Sequence, residues 1–403
     1  MNKKMISPVM GCVLSLTLGV LALVWPQKPS AEPQASVPAS SALELHKNKI
    51  SRWNQTLQNR LPGSQFFIQA NNHLSLLISG PKIDQVFCLK DRLVENIGAA
   101  NPITARRNTE AVNQFVSRYG EDIPIYFSLV PSAQEVYREQ MPDAPNVLDQ
   151  TSFITNIYGD SKQNTSLSSN NSAYSKTAAS DYGALQDVSA IDVHTALLAN
   201  QKQDLYYHTD SNWTSLGAYT AYGSLVTSMG LSAISSDSFN IEHVQYDYLG
   251  NLYQKTLVRK GSPDRIDLYT YAPNTVIDRV IRYEGTKSQT SSSMYYYEML
   301  NTPNAMDVFL GQDCGVTKIY TTIDTGQDLL LFGDEYAKPL LQFLSLHYRS
   351  ITFVNLSKYT DDQASLIKPA DYDTILFLYQ VKNYISDISV AARLPNIGET
   401  ENS

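Results

Sequence analysis

In the last third of the chain Leu329-Leu330-Leu331-Phe332 is a continuous apolar run, and Ser350 to Asn355 and Thr374 to Tyr379 supply two further strands. A strand with one wet face alternates polar and apolar positions, so runs of this kind belong to strands buried on both faces. Between the first two lies Lys338 to His347, which carries a helical pattern. Strand–helix–strand order with doubly buried strands predicts parallel pairing and helices on both sides of the sheet. In such sheets ligands bind at the carboxyl ends of strands. The first run ends in Gly333-Asp334-Glu335-Tyr336, which places Glu335 at such an end.

The upstream sequence fits the same architecture. Ile123 to Val130 is an apolar and aromatic run closed by Pro131, a strand signature, and Thr109 to Tyr119 before it predicts a crossover helix. Val147 to Tyr158 predicts another helix. Thr214 is a good N-cap for a helix whose face is kept by Leu216, Tyr219, Gly223, Val226 and Met229 until Gly230 ends it. The region between Tyr246 and Tyr297 holds Gly250, Gly261, Pro263 and alternations such as Leu268-Tyr269-Thr270-Tyr271. It reads as a β-rich excursion from the sheet.

At the N-terminus Met5 to Trp25 is uncharged and mostly apolar, preceded by Lys3 and Lys4. At about 1.5 Å per residue a helix of this length crosses a hydrocarbon core of about 30 Å, and the leading lysines keep its start in the cytoplasm. Residues 1–28 are therefore expected to be a membrane anchor or signal sequence. Residues 29–45, rich in Ala, Ser and Pro, are a tether, and 46–403 is one folded domain. A cut after Val37-Pro38-Ala39 would release that domain as a secreted protein. Leu45 to Ile78 looks helical with a break at Pro62-Gly63-Ser64, and a polar, low-complexity insertion falls at about 161–187. Cys88 and Cys314 would be the exported thiols, either two buried free cysteines or a disulfide.

With 43% hydrophobic residues a packed core is feasible, and a formal net charge of −8 argues against a phosphate-tracking nucleic-acid surface. The 26 tyrosines suit either the rim of the core or a sugar-binding face. No phosphate-binding glycine loop, His-Glu-x-x-His, paired Cys-x-x-Cys or Gly-x-Ser-x-Gly is present.

Two segments carry the chemistry: Tyr206-Tyr207-His208-Thr209-Asp210-Ser211-Asn212-Trp213 and Leu330-Leu331-Phe332-Gly333-Asp334-Glu335-Tyr336. The first resembles the Asp-x-His-Trp segment, and the second the Gly-Asp-Ser segment, of SGNH hydrolase-like DHHW proteins and the related alginate and polysaccharide O-acetyltransferases. Further echoes fall in that family's order at Val130-Pro131-Ser132, Thr214 to Tyr219, Tyr248 to Tyr253, Phe309-Leu310-Gly311 and Asp373 to Tyr379. The resemblance covers residues 80 to 385. It implies an SGNH-like, flavodoxin-like three-layer α/β sandwich with a mainly parallel sheet, here with a β-rich insertion and an N-terminal transmembrane helix. It also implies a setting at the cell membrane, with an extracytoplasmic domain that meets cell-envelope polysaccharide beside a multipass membrane O-acyltransferase. No cofactor is expected.

The two segments depart from the family at two positions. Asp210, which in the family orients the catalytic imidazole, and Trp213 are kept, but the base position holds Asn212 and the nucleophile position holds Glu335. An amide cannot accept a proton near neutral pH, and a carboxylate with no base beside it is a poor acyl carrier. The expectation is a degenerate site at Asp210, Asn212 and Glu335, flanked by His208, Trp213, Gly333, Asp334 and Tyr336, in a glycan-binding or scaffolding protein. Alternatives left open are an acyl-esterase or O-acetyltransferase with altered catalytic residues, a base displaced to His208, an oxygen-rich cation site, a glycosidase-like carboxylate pair, and a literal Gly-Asp-Ser at Gly159-Asp160-Ser161. Trp213 is read as a packing anchor, Asp334 as a backbone partner at its turn, and His347 as structural.

Overall fold

A computed structural model describes residues 64–78, 80–143, 147–159, 182–273, 276–324 and 326–398. The anchor (1–28), the tether (29–45), the first part of the Leu45 lead-in, Asp160-Ser161 and the insertion up to residue 181 lie outside them. Among the described residues no helix is long and apolar enough to cross a membrane. The described residues from Gln65 onward form one compact unit.

In chain order the strands are β1 (Lys82–Ile83), β2 (Val86–Cys88), β3 (Leu93–Glu95), β4 (Ile125–Val130), β5 (Ser189–Ala190), β6 (Phe239–Tyr248), β7 (Asp264–Tyr271), β8 (Ile277–Glu284), β9 (Lys287–Ser291), β10 (Val316–Thr321), β11 (Asp328–Gly333), β12 (Ser350–Val354) and β13 (Thr374–Gln380). Eight of them make the central sheet, in the order β5-β4-β13-β11-β12-β10-β8-β9. The first five run parallel, and β10, β8 and β9 continue the sheet antiparallel. The three C-terminal segments are β11, β12 and β13, with β11 between the other two and Leu331 facing Phe353 and Leu376 in register.

Alternation along β11 divides the interior in two. Leu329 and Leu331 enter a core shared with the helices Ser215–Ser228 and Ala337–Leu344. Leu330 and Phe332 enter the opposite core, with the helices Pro102–Tyr119 and Val381–Ser386. All four side chains are fully buried, and at about 2 kcal/mol each their removal from water is a large driving force for this layer. The helix Ser215–Ser228 starts at its expected cap, whereas the crossover helix expected from Thr109 begins earlier, at Pro102. Thr214 Oγ1 accepts from Gly217 N at 3.1 Å, and Asn101 caps the helix that begins with Pro102.

The β-rich excursion needs correction. Only β6 and β7 leave the sheet, as a separate two-stranded ribbon, while β8 and β9 extend the central sheet through β10. The strands of that extension mix polar and apolar positions because only part of their surface is covered. Several of the tyrosines are core residues: Tyr137, Tyr158, Tyr206, Tyr207, Tyr222, Tyr348 and Tyr384 are all essentially inaccessible. Cys88 and Cys314 are free and buried.

Candidate functional site

Asp210 sits at the tip of a tight loop closed by a bridge between Tyr206 and Trp213 and by Thr214 N donating to Leu205 O at 2.9 Å. The loop is held from below by Asp264, the first residue of β7. Its Oδ1 accepts from His208 N at 2.7 Å, its Oδ2 accepts from Thr209 N at 2.8 Å, and Thr209 Oγ1 donates to the same Oδ2. With its backbone so fixed, Asp210 uses both oxygens. Oδ1 accepts from the backbone N and the side-chain Nδ2 of Asn212, each at 2.9 Å. Oδ2 accepts from Tyr248 OH and Asn251 N, each at 2.7 Å. Burial and the Asp210 charge push the Tyr248 phenol well above its usual range, so it stays a donor.

Glu335 follows β11 in the turn before the helix Ala337–Leu344. Asp334, beside it, is buried: Oδ1 accepts from Tyr336 N at 3.0 Å, and Oδ2 from Gln380 N at 2.8 Å and Asn383 Nδ2 at 2.9 Å. Burial first, and the Glu335 charge second, push the Asp334 carboxyl up to about 8, against the pull of those three donors. Asn383 Nδ2 also donates to Glu335 Oε1 at 3.2 Å. Tyr336 joins the two segments. Its hydroxyl donates to Ser211 O, and its ring packs on Trp213 with centroids 5.8 Å apart.

Asp210, Asn212 and Glu335 line one cleft of about 390 Å³, together with Tyr248, Asn251, Lys338 and Lys358. Sequence reasoning missed the last four. Lys338 is buried, and its ammonium lies 3.0 Å from Asp307 Oδ1 and 2.6 Å from Asp313 Oδ1 while donating to Gly311 O at 2.8 Å. The flanking residues stand behind the wall. Trp213 is fully buried and Tyr336 nearly so, while Gly333 is packed so closely that a β-carbon there would come within 2.6 Å of Leu378 O. Asp334 is turned into its own turn, as expected.

His208 does not face the cleft. Its Nε2 lies 3.3 Å from Asp204 Oδ1 and its Nδ1 3.0 Å from Asp264 Oδ1, and these partners, Asp204 foremost, raise its pKa to about 9. An imidazolium clamped by two carboxylates has no free lone pair to act as a base. His347 Nε2 contacts Tyr222 OH at 2.7 Å, and burial lowers its pKa. His194 shares Glu135 with Thr151: Thr151 Oγ1 donates to Glu135 Oε1 at 2.7 Å and lies 3.3 Å from His194 Nε2. That trio ties the helix Gln150–Tyr158 to its neighbours, away from the cleft. Among the described lining residues of the cleft there is no Ser, Thr, Cys or His. Among the described residues, too, no group of three or more His, Cys, Asp or Glu side chains gathers to hold a metal ion.

The sequence profile of the DHHW proteins matches residues 141–354, more than half of the chain, and so spans both the Asp210 loop and Glu335. The chain belongs to the DHHW family. This DHHW protein shares its fold with a DHHW family protein from Eubacterium siraeum, at 18% identity and a TM-score of 0.58, over 79% of this chain and 99% of the other. Bacillus cereus PatB1, solved with a sulfonyl adduct, matches at 14% identity and a TM-score of 0.58, over 78% of this chain and 98% of its own. Among curated proteins, none matches. Asn212 and Glu335 thus stand in the two segments that carry the family resemblance, on one cleft wall.

Proposed function

We propose that this DHHW protein is a catalytically degenerate member of its family, anchored in the cell membrane with its folded domain outside, where it binds cell-envelope or exopolysaccharide glycan and scaffolds its modification. The observation that carries the reading is the lining of the cleft. Acyl transfer through a covalent intermediate requires a hydroxyl or thiol nucleophile and a base within hydrogen-bond reach. The cleft instead presents the Glu335 carboxylate, and an Asn212 amide that donates to Asp210 where a histidine would do so. Its polar wall of amides and carboxylates suits sugar hydroxyls. A multipass membrane O-acyltransferase is the partner that the family resemblance suggests.

The test is restoration. Wild-type protein is expected to hydrolyse an acetyl ester no faster than buffer, and Asn212→His with Glu335→Ser to gain turnover, because the orienting Asp210 and the strand-end turn are already in place. Turnover by the wild type that disappears in Glu335→Ala would overturn the proposal in favour of an altered mechanism.

A further inference from the structure

Four carboxylates, Asp210, Asp307, Asp313 and Glu335, line the cleft against two ammonium groups, Lys338 and Lys358, an excess of two formal negative charges. The distribution is uneven. Lys338 is consumed by Asp307 and Asp313, at 3.0 and 2.6 Å, and by a backbone carbonyl. Asp210 is satisfied by four neutral donors, and Glu335 receives the Asn383 amide at 3.2 Å. Among the described residues no Lys, Arg or His nitrogen lies within 4.0 Å of either carboxylate. Lys358 is exposed. A carboxylate has about four lone-pair positions, so Glu335 keeps unused acceptor capacity in a concave wall whose like charges reinforce one another and focus the field.

We infer that the cleft takes a protonated amine carried on a sugar, an amino sugar whose nitrogen is not acylated, with its ammonium on Glu335. The inference rests on the glycan-binding reading above and adds the charge of the sugar. A bare divalent cation fits worse, because among the described residues no third acidic or imidazole side chain joins Asp210 and Glu335 to complete a shell. An ammonium needs only one carboxylate and neutral acceptors, and the surrounding amides leave donors and acceptors for the ring hydroxyls.

Calorimetric titration of the full chain at about pH 6, where amines are protonated, compares a glucosamine tetramer, its fully N-acetylated counterpart and a lysine tetramer. The glucosamine tetramer is expected to bind at least tenfold more tightly than the N-acetylated form, with a preference that shrinks as salt rises. Glu335→Gln should bring the two sugars to within about twofold of each other, and Lys358→Ala should tighten the glucosamine tetramer a few-fold by removing a competing charge. Equal or tighter binding of the N-acetylated tetramer overturns the ammonium assignment and leaves the glycan reading standing. Binding of neither sugar removes both. A lysine tetramer that binds as tightly as the glucosamine tetramer overturns a sugar ligand in favour of a cationic peptide, and an unchanged preference in Glu335→Gln overturns the role of Glu335.

Discussion

Two carboxyl groups a residue apart in sequence, Asp334 and Glu335, divide one task by environment. Glu335 faces the cleft, while Asp334 is sealed in the turn with its pKa raised to about 8. In the unfolded chain an Asp titrates near about 4, so the folded state holds this proton longer. The sign follows: stability from this group is complete below about pH 4 and falls as pH rises towards about 8. Glu335→Gln removes the second cause of the shift and so lowers the folded pKa of Asp334, and the melting temperature of the variant minus that of the wild type should be level just above about pH 4 and grow only as pH approaches about 8. A difference that stays flat with pH would mean that Glu335 does not act on Asp334. His208 has the same sign over a higher range of pH. Its folded pKa of about 9 lies above the unfolded value near 6.5, so its contribution is complete below about pH 6.5 and lost as pH rises through about 9. His208→Gln should cost about 2 kcal/mol at pH 6, the scale of hydrogen bonds to charged groups, and the cost should shrink towards pH 9 in denaturant titrations.

At the scale of elements, two glycines of ordinary backbone conformation show how the loop is packed. A β-carbon on Gly250 would meet Asp210 Cβ and Oδ2 at 2.3 Å, and one on Gly217 would meet Leu205 O at 2.2 Å. By contrast at Gly223, on the same helix as Gly217, nothing beyond the helix's own backbone comes within 4 Å of that position. Gly217→Ala should therefore destabilise by about 2–3 kcal/mol by prying the helix from the Asp210 loop, whereas Gly223→Ala should stabilise by about 0.5–1 kcal/mol through helix propensity. Chemical denaturation of the two variants decides; equal effects would sink the account. The elements legible in sequence are those whose pattern is local: β11 from its unbroken apolar run Leu329 to Phe332, β4, β12 and β13 as short segments of apolar and aromatic residues with few polar ones, and the helix Ser215–Ser228 from its cap. Strand β10 was not legible, because Val316–Thr321 carries Thr and Lys where it is only half covered, and β8 looked like part of a detached ribbon for the same reason. At the site, Asp210, Asn212 and Glu335 were readable from their segments. Asp264 and Asn383 were not, since each reaches its partner across 49 residues or more and nothing local marks it, while Tyr248 and Asn251 fell in a segment that echoes the family without showing their tie to Asp210.

For the molecule as a whole, the sheet acts as a partition. Leu331 and Phe332 are adjacent in sequence, yet the first packs with the helices Ser215–Ser228 and Ala337–Leu344 and the second with Pro102–Tyr119. Phe332 stacks on Phe377 of the next strand at a centroid distance of 5.0 Å and an interplanar angle of 14°, and Phe115 meets both rings edge-on. The turn that presents Glu335 rises from the end of this β11 run, so the cleft is only as well placed as both cores are well packed. Mild truncations test the partition without unfolding the chain. Leu331→Val, Phe332→Leu and Phe377→Leu should each cost about 1 kcal/mol. In double-mutant cycles Leu331→Val and Phe332→Leu should add to within about 0.5 kcal/mol, because their side chains share no partner across the sheet. Phe332→Leu and Phe377→Leu should couple by about 1 kcal/mol through the lost ring contact. If the sequence neighbours coupled more strongly than the stacked pair, the two faces would not be separate cores, and the placement of Glu335 would have to be traced to the β11 backbone itself.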